Sequence, residues 1–382
     1  MRFLDVVRRR WHVIVPLLAL PVMALTWGRT VSGLLVALLG LLLAGTVLAA
    51  VHYAEVIARR VGEPFGSLVL AVAVTIIEVG LIGTLMITSD GTKTTLARDT
   101  VFAALMITCN GIVGISLLVA TLRRKEVRFS AEGSGAALAT IGTLAALSLV
   151  LPTFTVSSPG PTFTPTQLVF AAVASLGLYL LFVFMQTVRD RDSFLPAAQP
   201  AHGGPSGDPA DDPADGAGND DDLELHGPPV TNRQAGLGAV MLIIALVGVV
   251  GLAKLTSPAI EGAVRDAGLP NFVVAVAIAL LVLLPESITA VRAAALGRTQ
   301  VSLNLAYGSA MASIGLTVPV IAALSLMFGY AVTLGLSATE IVLLVLTLFI
   351  STLTVTPGRA TLLQGGVHLA VFAGFLVVTL IP

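Results

Sequence analysis

The sequence predicts an all-α polytopic membrane protein with about 11 transmembrane helices, one N-terminal helix followed by two inverted five-helix repeats. Three observations lead there. Of the 382 residues, 56% are hydrophobic and 11% charged, against about 45–50% and 25% in soluble globular chains, and the mean hydropathy is +0.95. Apolar runs of about 20 residues, the length that crosses a hydrocarbon core of roughly 30 Å, recur eleven times. The runs are rich in Leu, Val, Ala, Ile and Gly with charges confined to the connections, which fits helices better than the alternating pattern of an outer-membrane barrel.

The same composition excludes other classes. Hydrophobicity spread along the chain leaves no room for a large soluble catalytic domain. A formal net charge of −1 offers no basic excess for nucleic-acid phosphates. The single cysteine, Cys109, rules out an intrachain disulfide and a cysteine-based zinc site.

In chain order the spans are expected at 11–29, 32–58, 67–88, 100–122, 135–153, 166–187, 235–256, 270–292, 300–328, 338–356 and 361–381. The first follows Arg8, Arg9 and Arg10 like a secretory signal. Its apolar stretch continues to Trp27 without a small-residue cleavage site, so it reads as a retained anchor. Orientation follows from Lys/Arg bias in the connections. With the N-terminus inside, cytoplasmic segments carry 16 of the 21 Lys and Arg, leaving only Arg29, Lys93, Arg98, Lys254 and Arg265 elsewhere. The N-terminus is therefore expected in the cytoplasm and the C-terminus outside.

Residues 193–232 break the pattern with seven prolines, six glycines and eight acidic residues between Asp208 and Glu224. This stretch reads as a disordered acidic cytoplasmic linker, because it cannot bury enough apolar surface to offset the entropy of ordering. A solvated spacer is preferred to a cation-sensing tail built on Asp220, Asp221, Asp222 and Glu224. The chain thus divides into 1–31, an N-terminal segment and first helix; 32–192, a first five-helix repeat; the linker; and 233–382, a second five-helix repeat. Five crossings are an odd number, so the second set enters the bilayer opposite to the first, the geometry of inverted-repeat transporters. Span 3 should then answer span 8, and span 4 span 9.

The polar residues inside the spans follow that plan. Glu78 is the one charge near the middle of span 3, and Glu286 is the one charge well inside span 8, each in the second span of its set. A carboxylate at membrane depth is costly, so a bundle rarely carries one without a use. Thr75 lies three residues before Glu78 and Thr289 three after Glu286, each sharing a helix face with its carboxylate. Pro285 is expected to interrupt span 8 and free backbone oxygens beside Glu286. Asn110 is central in span 4, and Ser302, Ser309, Ser313 and Thr317 fall near one face of span 9. Of these, Asn110, Ser309 and Ser313 are the candidate neutral ligands, with Thr75. His52 and Glu55 are expected in the cytoplasmic rim of span 2, and Glu340 in the outer rim of span 10.

Two carboxylates with amide, hydroxyl and backbone oxygens make an all-oxygen, doubly negative site. That chemistry suits Ca²⁺, whereas Mg²⁺ holds its waters and Zn²⁺ prefers His or Cys. The same carboxylates can take protons when no metal is present, because desolvation and mutual repulsion favour the neutral form. One Ca²⁺ exchanged for two protons leaves the charge carried nearly balanced, and each pH unit then supplies about 2.7 kcal/mol.

The stretches TIIEVGLIGTLMIT, LARDTVFAALMITCNGIVG, LPTFT, LYLLFVFMQTVRDR, LLPESITAVRAA and SLNLAYGSAMASIGLTVP resemble the ChaA-type bacterial calcium/proton antiporters of the cation/calcium exchanger superfamily. The resemblance spans both halves, roughly 32–381 without the linker. It implies a multi-pass protein of the bacterial inner membrane whose central glutamates bind cation or proton in alternation. By position those are Glu78 and Glu286, with Asn110 and the segment from Gly308 and Ser309 to Ser313 as neighbouring ligands. The superfamily's Gly-Asn-Ala-x-Glu form is not kept. Thr75 stands three residues before Glu78 and Leu283 three before Glu286, where that form carries asparagine. ChaA-type proteins are also associated with Na⁺/H⁺ and K⁺/H⁺ exchange, so monovalent transport is a second reading.

No cofactor is implied, since Ca²⁺ and H⁺ are cargo, and no nucleic acid. The bilayer is a partner, and a homo-oligomer is compatible with the sequence. An intramembrane enzyme is the remote alternative. It lacks paired aspartates deep in the spans, Asp99 lying at the edge of span 4, and His368 offers no obvious partner for a serine.

Overall fold

The computed structural model describes residues 2–28, 33–62, 65–88, 94–194, 230–329 and 332–381. They form long helices: α1 (Arg2–Thr26), α2 (Leu34–Val61), α3 (Phe65–Thr88), α4 (Leu96–Leu122), α5 (Ala131–Phe154), α6 (Pro165–Arg189), α7 (Asn232–Asp266), α8 (Phe272–Ala295), α9 (Thr299–Phe328), α10 (Ala338–Val355) and α11 (Leu362–Leu380). Among the described residues, 9 helices are long and apolar enough to cross a membrane, and shorter apolar stretches occupy Arg10–Thr26 and Val69–Thr84. The chain is an all-α polytopic membrane protein.

Sequence chemistry sets the helix starts. Thr164, Thr231, Ser337 and Thr361 begin α6, α7, α10 and α11 in capping boxes closed by Gln167, Gln234, Glu340 and Gln364. Each box satisfies amide donors that have no partner within the helix. Leu, Val, Phe and Ile side chains on most helices stay exposed on the outer surface of the bundle, as at Leu181, Ile243, Phe349 and Leu363, the surface that lipid would cover. α4 is the most enclosed span. It packs on α8, α9 and α11, and every residue of Leu96–Met106 except Arg98 is buried. Its middle, Ile107–Ile112, winds as a π-helix.

The two halves meet at both ends. At the arginine-rich end, Val127–Arg128 pairs antiparallel with Arg359–Ala360, Val127 facing Ala360. Arg60 at the end of α2 donates to Asn232 at the start of α7, at 2.7 Å. At the opposite end, residues 332–337 form an extended strap between α9 and α10. The strap's backbone is tied to the first half: Thr333 N–H to Thr94 C=O (3.0 Å), Gly335 N–H to Pro161 C=O (3.0 Å) and Leu336 N–H to Leu149 C=O (2.9 Å). Thr153 and Arg98 donate to the carbonyls of Leu336 and Gly335, at 2.7 and 2.8 Å. Gly335 is needed there, because a Cβ would sit 2.6 Å from Thr153 Oγ1 and 2.7 Å from Pro161. Val332 and Leu334 pack with Val79 and Ile82 of α3, Ala97, Leu168, Ile321 and Ala322 into one apolar cluster.

Two expectations are corrected. α8 runs as one α-helix from Phe272 to Ala295 with Pro285 inside it, so the helix is not interrupted. The hydroxyls of Ser287 and Thr289 turn onto the carbonyls of Leu283 and Pro285 in its helical turns, at 2.6 and 2.9 Å. The expected linker also starts too early. Arg191–Phe194 is a turn of 3₁₀-helix, and Phe194 is buried edge-on against Phe182, 5.5 Å between ring centres. The acidic cluster of the linker lies outside the described residues.

Candidate cation site

α3 and α9 cross so that Glu78 meets the hydroxyl stripe of α9. Ser309, Ser313 and Thr317 repeat every four residues and so share one face of that helix. Thr317 Oγ1 donates to Glu78 Oε2 at 3.1 Å, and Ser313 Oγ donates to the same oxygen at 3.4 Å. Glu78 is only 2% exposed, and its Oε1 has no hydrogen-bond partner among the described residues. Glu286 Oε2, on α8, is likewise buried and unpartnered among them. An unpaired buried polar oxygen is costly unless something arrives to use it.

Both glutamates line a single cavity of about 430 Å³. From Glu78 it runs along α3 to Leu70, along α6 from Tyr179 to Thr187 and along α9 from Ser313 to Val301, toward the arginine-rich end. The strap and its apolar cluster close the bundle beyond Glu78 at the other end. Gly315, packed directly on Tyr179, lets α9 and α6 approach so closely that a Cβ would stand 2.5 Å from that of Tyr179.

Of the residues singled out in the sequence, Glu78, Glu286, Thr75, Ser309 and Ser313 all line this cavity. Asn110 does not. Its amide nitrogen donates to Thr347 Oγ1 at 2.8 Å, and its carbonyl oxygen lies 3.3 Å from His368 Nδ1. His368 Nε2 in turn pairs with Thr354 at 3.1 Å. With the Nδ1–H tautomer, the row Thr354, His368, Asn110, Thr347 is satisfied without any charge. His368 is thus held by Thr354 and Asn110, with no serine among its hydrogen-bond partners in the described residues. Asn110 faces α10 and α11 because it sits in the π turn, which adds a residue and rotates the helix off its α-helical face. Thr289 is not at the cavity either, its hydroxyl being spent on Pro285.

The sequence reading passed over Gln186 and Thr187 on α6, and Asn304 on α9, all of which line the cavity. Gln186 is a polar residue at the end of an apolar run, in LYLLFVFMQTVRDR, and that position was the available signal. Asn304 donates to the carbonyl of Phe194 at 2.7 Å and accepts from Gln300 at 2.8 Å, pinning Phe194 into the cavity wall. At the opposite end, Asp99 is buried beside Arg98 (2.6 Å) and accepts from Thr95 (2.9 Å), with Glu340 4.0 Å from Arg98. His52 packs against His12 of α1, 4.7 Å between ring centres.

A helical membrane bundle with a polar cavity reaching from one end to two interior carboxylates is the architecture of a membrane transport protein. The chain belongs to the sodium/calcium exchanger protein family, whose profile matches residues 31–188 and 237–381. It is similar to y4hA of Sinorhizobium fredii, 43% identical over 378 residues, covering 97% of this chain and 96% of that protein. It is also similar to the sodium-potassium/proton antiporter ChaA of Escherichia coli, 33% identical over 370 residues, covering 95% of this chain and 94% of that one. Among solved structures, the H⁺/Ca²⁺ exchanger CAX shares the fold with a TM-score of 0.69 at 15% identity, over 97% of this chain and 88% of its own. The protein is thus a multi-pass membrane transporter of the cation exchanger and antiporter class, as the ChaA-type resemblance implies.

Proposed function

We propose that the protein is a secondary active transporter that exchanges cytoplasmic Ca²⁺ for external protons by alternating access at a site built on Glu78 and Glu286. The observation that carries this reading is that both carboxylates line one cavity and each keeps a buried oxygen without a partner among the described residues. Ca²⁺ takes six to eight oxygens in tolerant geometry. Glu78, Glu286, Ser309, Ser313 and Thr75 supply such oxygens, and water entering along the cavity completes the shell. In the absence of the ion, protons on the two carboxylates remove the charge that would otherwise stand unpaired in low dielectric.

The sidedness of the cavity follows from the ends of the bundle. The cavity extends toward the end where Arg60, Arg189 and Arg298 cluster, which the positive-inside bias assigns to the cytoplasm. On this reading the described form is open inward and closed outward by the strap, the N-terminus is cytoplasmic, the C-terminus is external, and the membrane is the bacterial inner membrane. α2–α6 and α7–α11 act as inverted repeats, α3 answering α8 and α4 answering α9, and rocking of one against the other alternates access.

A second reading, Na⁺/H⁺ or K⁺/H⁺ exchange at the same site, is favoured by the 33% identity to a protein named as a sodium-potassium/proton antiporter. Proton flux in reconstituted vesicles, with Ca²⁺, Na⁺, K⁺ and Mg²⁺ offered separately, decides between them. Ca²⁺-driven proton movement in wild type that is lost in Glu78→Gln supports the first reading. Movement driven only by Na⁺ or K⁺ replaces it with the second, and flux that survives in Glu78→Gln refutes the site.

A further inference from the structure

Thr317 stands apart from the other hydroxyls of α9. It is fully buried, does not line the cavity, and lies one helical turn beyond Ser313 on the side of the apolar closure. Its hydroxyl nevertheless reaches Glu78 and donates to Oε2, the oxygen that also accepts from Ser313. A carboxylate oxygen has two lone-pair directions. Both directions of Oε2 are therefore taken by side-chain donors, while Oε1 is buried and unpartnered among the described residues.

We infer that Thr317 is a positioning residue that sets cation selectivity, by holding Glu78 Oε2 away from the ion so that Glu78 offers a single oxygen, Oε1. The inference rests on the proposed cation site and says which kind of ligand Glu78 is. The two modes of carboxylate binding differ in what they give to each ion. A divalent ion with a shell of six to eight oxygens draws twice the Coulomb attraction of a monovalent ion from each added carboxylate oxygen. Restricting Glu78 to one oxygen therefore costs Ca²⁺ more than Na⁺ and narrows the margin between them. Discrimination of this kind is a difference of affinities, and a contact that withholds a ligand shapes it as surely as one that supplies a ligand.

The test is equilibrium Ca²⁺ binding to the purified full-length protein, with Na⁺ as competitor, at an alkaline pH where protons compete little. Thr317→Val is nearly isosteric and removes the donor. It should tighten Ca²⁺ binding about tenfold, the scale of one hydrogen bond to a charged group, and change Na⁺ competition less. Thr317→Ser keeps the donor and should behave as wild type. Unchanged or weaker Ca²⁺ binding in Thr317→Val, or an equal change in Thr317→Ser, overturns the inference. Glu78→Gln measured alongside separates the two layers. If it binds Ca²⁺ like wild type, the site itself is wrong; if it loses binding while Thr317→Val changes nothing, only the role of Thr317 falls.

Discussion

Asn110 and His368 are bonded to each other across 258 residues of chain, amide oxygen to ring nitrogen at 3.3 Å, and neither borders the cavity. Asn110→Ala should therefore act on stability, because it leaves the Thr347 hydroxyl and His368 Nδ1 buried without their partner. The expected loss is about 1–3 kcal/mol, read as a lower Tm in detergent, with Ca²⁺ affinity of the folded protein unchanged. Weakened Ca²⁺ binding at an unaltered Tm would instead make Asn110 a ligand.

The unpartnered oxygens of Glu78 and Glu286 give the proposed site its sharpest prediction. Glu286→Gln, like Glu78→Gln, keeps the size of the side chain and removes the charge. Exchange should fall below detection in each variant, while expression and membrane insertion stay at wild-type levels. Either variant still moving protons against Ca²⁺ at an appreciable rate would take that residue out of the site.

Thr94 and Thr333 join the strap to the start of α4, with backbone and hydroxyl contacts of 3.0 and 3.1 Å. Their hydroxyls lie 3.1 Å apart, so cysteines at these two positions are the natural pair for a cross-link. The pair Thr94→Cys and Thr333→Cys, in a Cys109→Ala background, should stop exchange under oxidising conditions and recover it on reduction, as measured in vesicles. Undiminished flux through a protein shown to be cross-linked would mean that the strap does not move during transport.

The sequence of 193–232 reads as a solvated spacer. Deleting residues 200–228 should leave the rate of exchange within about twofold of wild type, a change below 0.5 kcal/mol in barrier at about 1.4 kcal/mol per decade. Loss of exchange in a well-expressed deletion would give the acidic cluster a sensing role.

Much of the bundle was legible because hydrophobic length is a one-dimensional signal. The third span was expected at 67–88 and α3 is Phe65–Thr88; the ninth was expected at 300–328 and α9 is Thr299–Phe328. Glu78, Thr75, Ser309 and Ser313 were visible as polar residues at helical spacing, and the cavity collects them with Glu286. What failed depended on local winding or distant partners. Asn110 is singled out by its depth in span 4, and depth does not say which neighbour a side chain faces; within the π turn at Ile107–Ile112 it meets Thr347 and His368. Pro285 carries a kinking signal, but the hydroxyls of Ser287 and Thr289 close onto carbonyls of the same turns and the helix continues. Thr317 was seen only as one member of a stripe, since its importance lies in an oxygen 239 residues away in the chain.

The strap between α9 and α10 makes its seal and its tethers from the same few residues: Leu334 and Leu336 are turned inward while neighbouring backbone groups are bound to three separate loops and helices. Such a piece cannot peel back by degrees, because freeing one amide strains the next and bares a leucine before any new contact has formed. If the proposed exchange operates, release of that end is then one cooperative event, and a carrier closed in this way would hold shut or turn over completely without leaking its driving gradient.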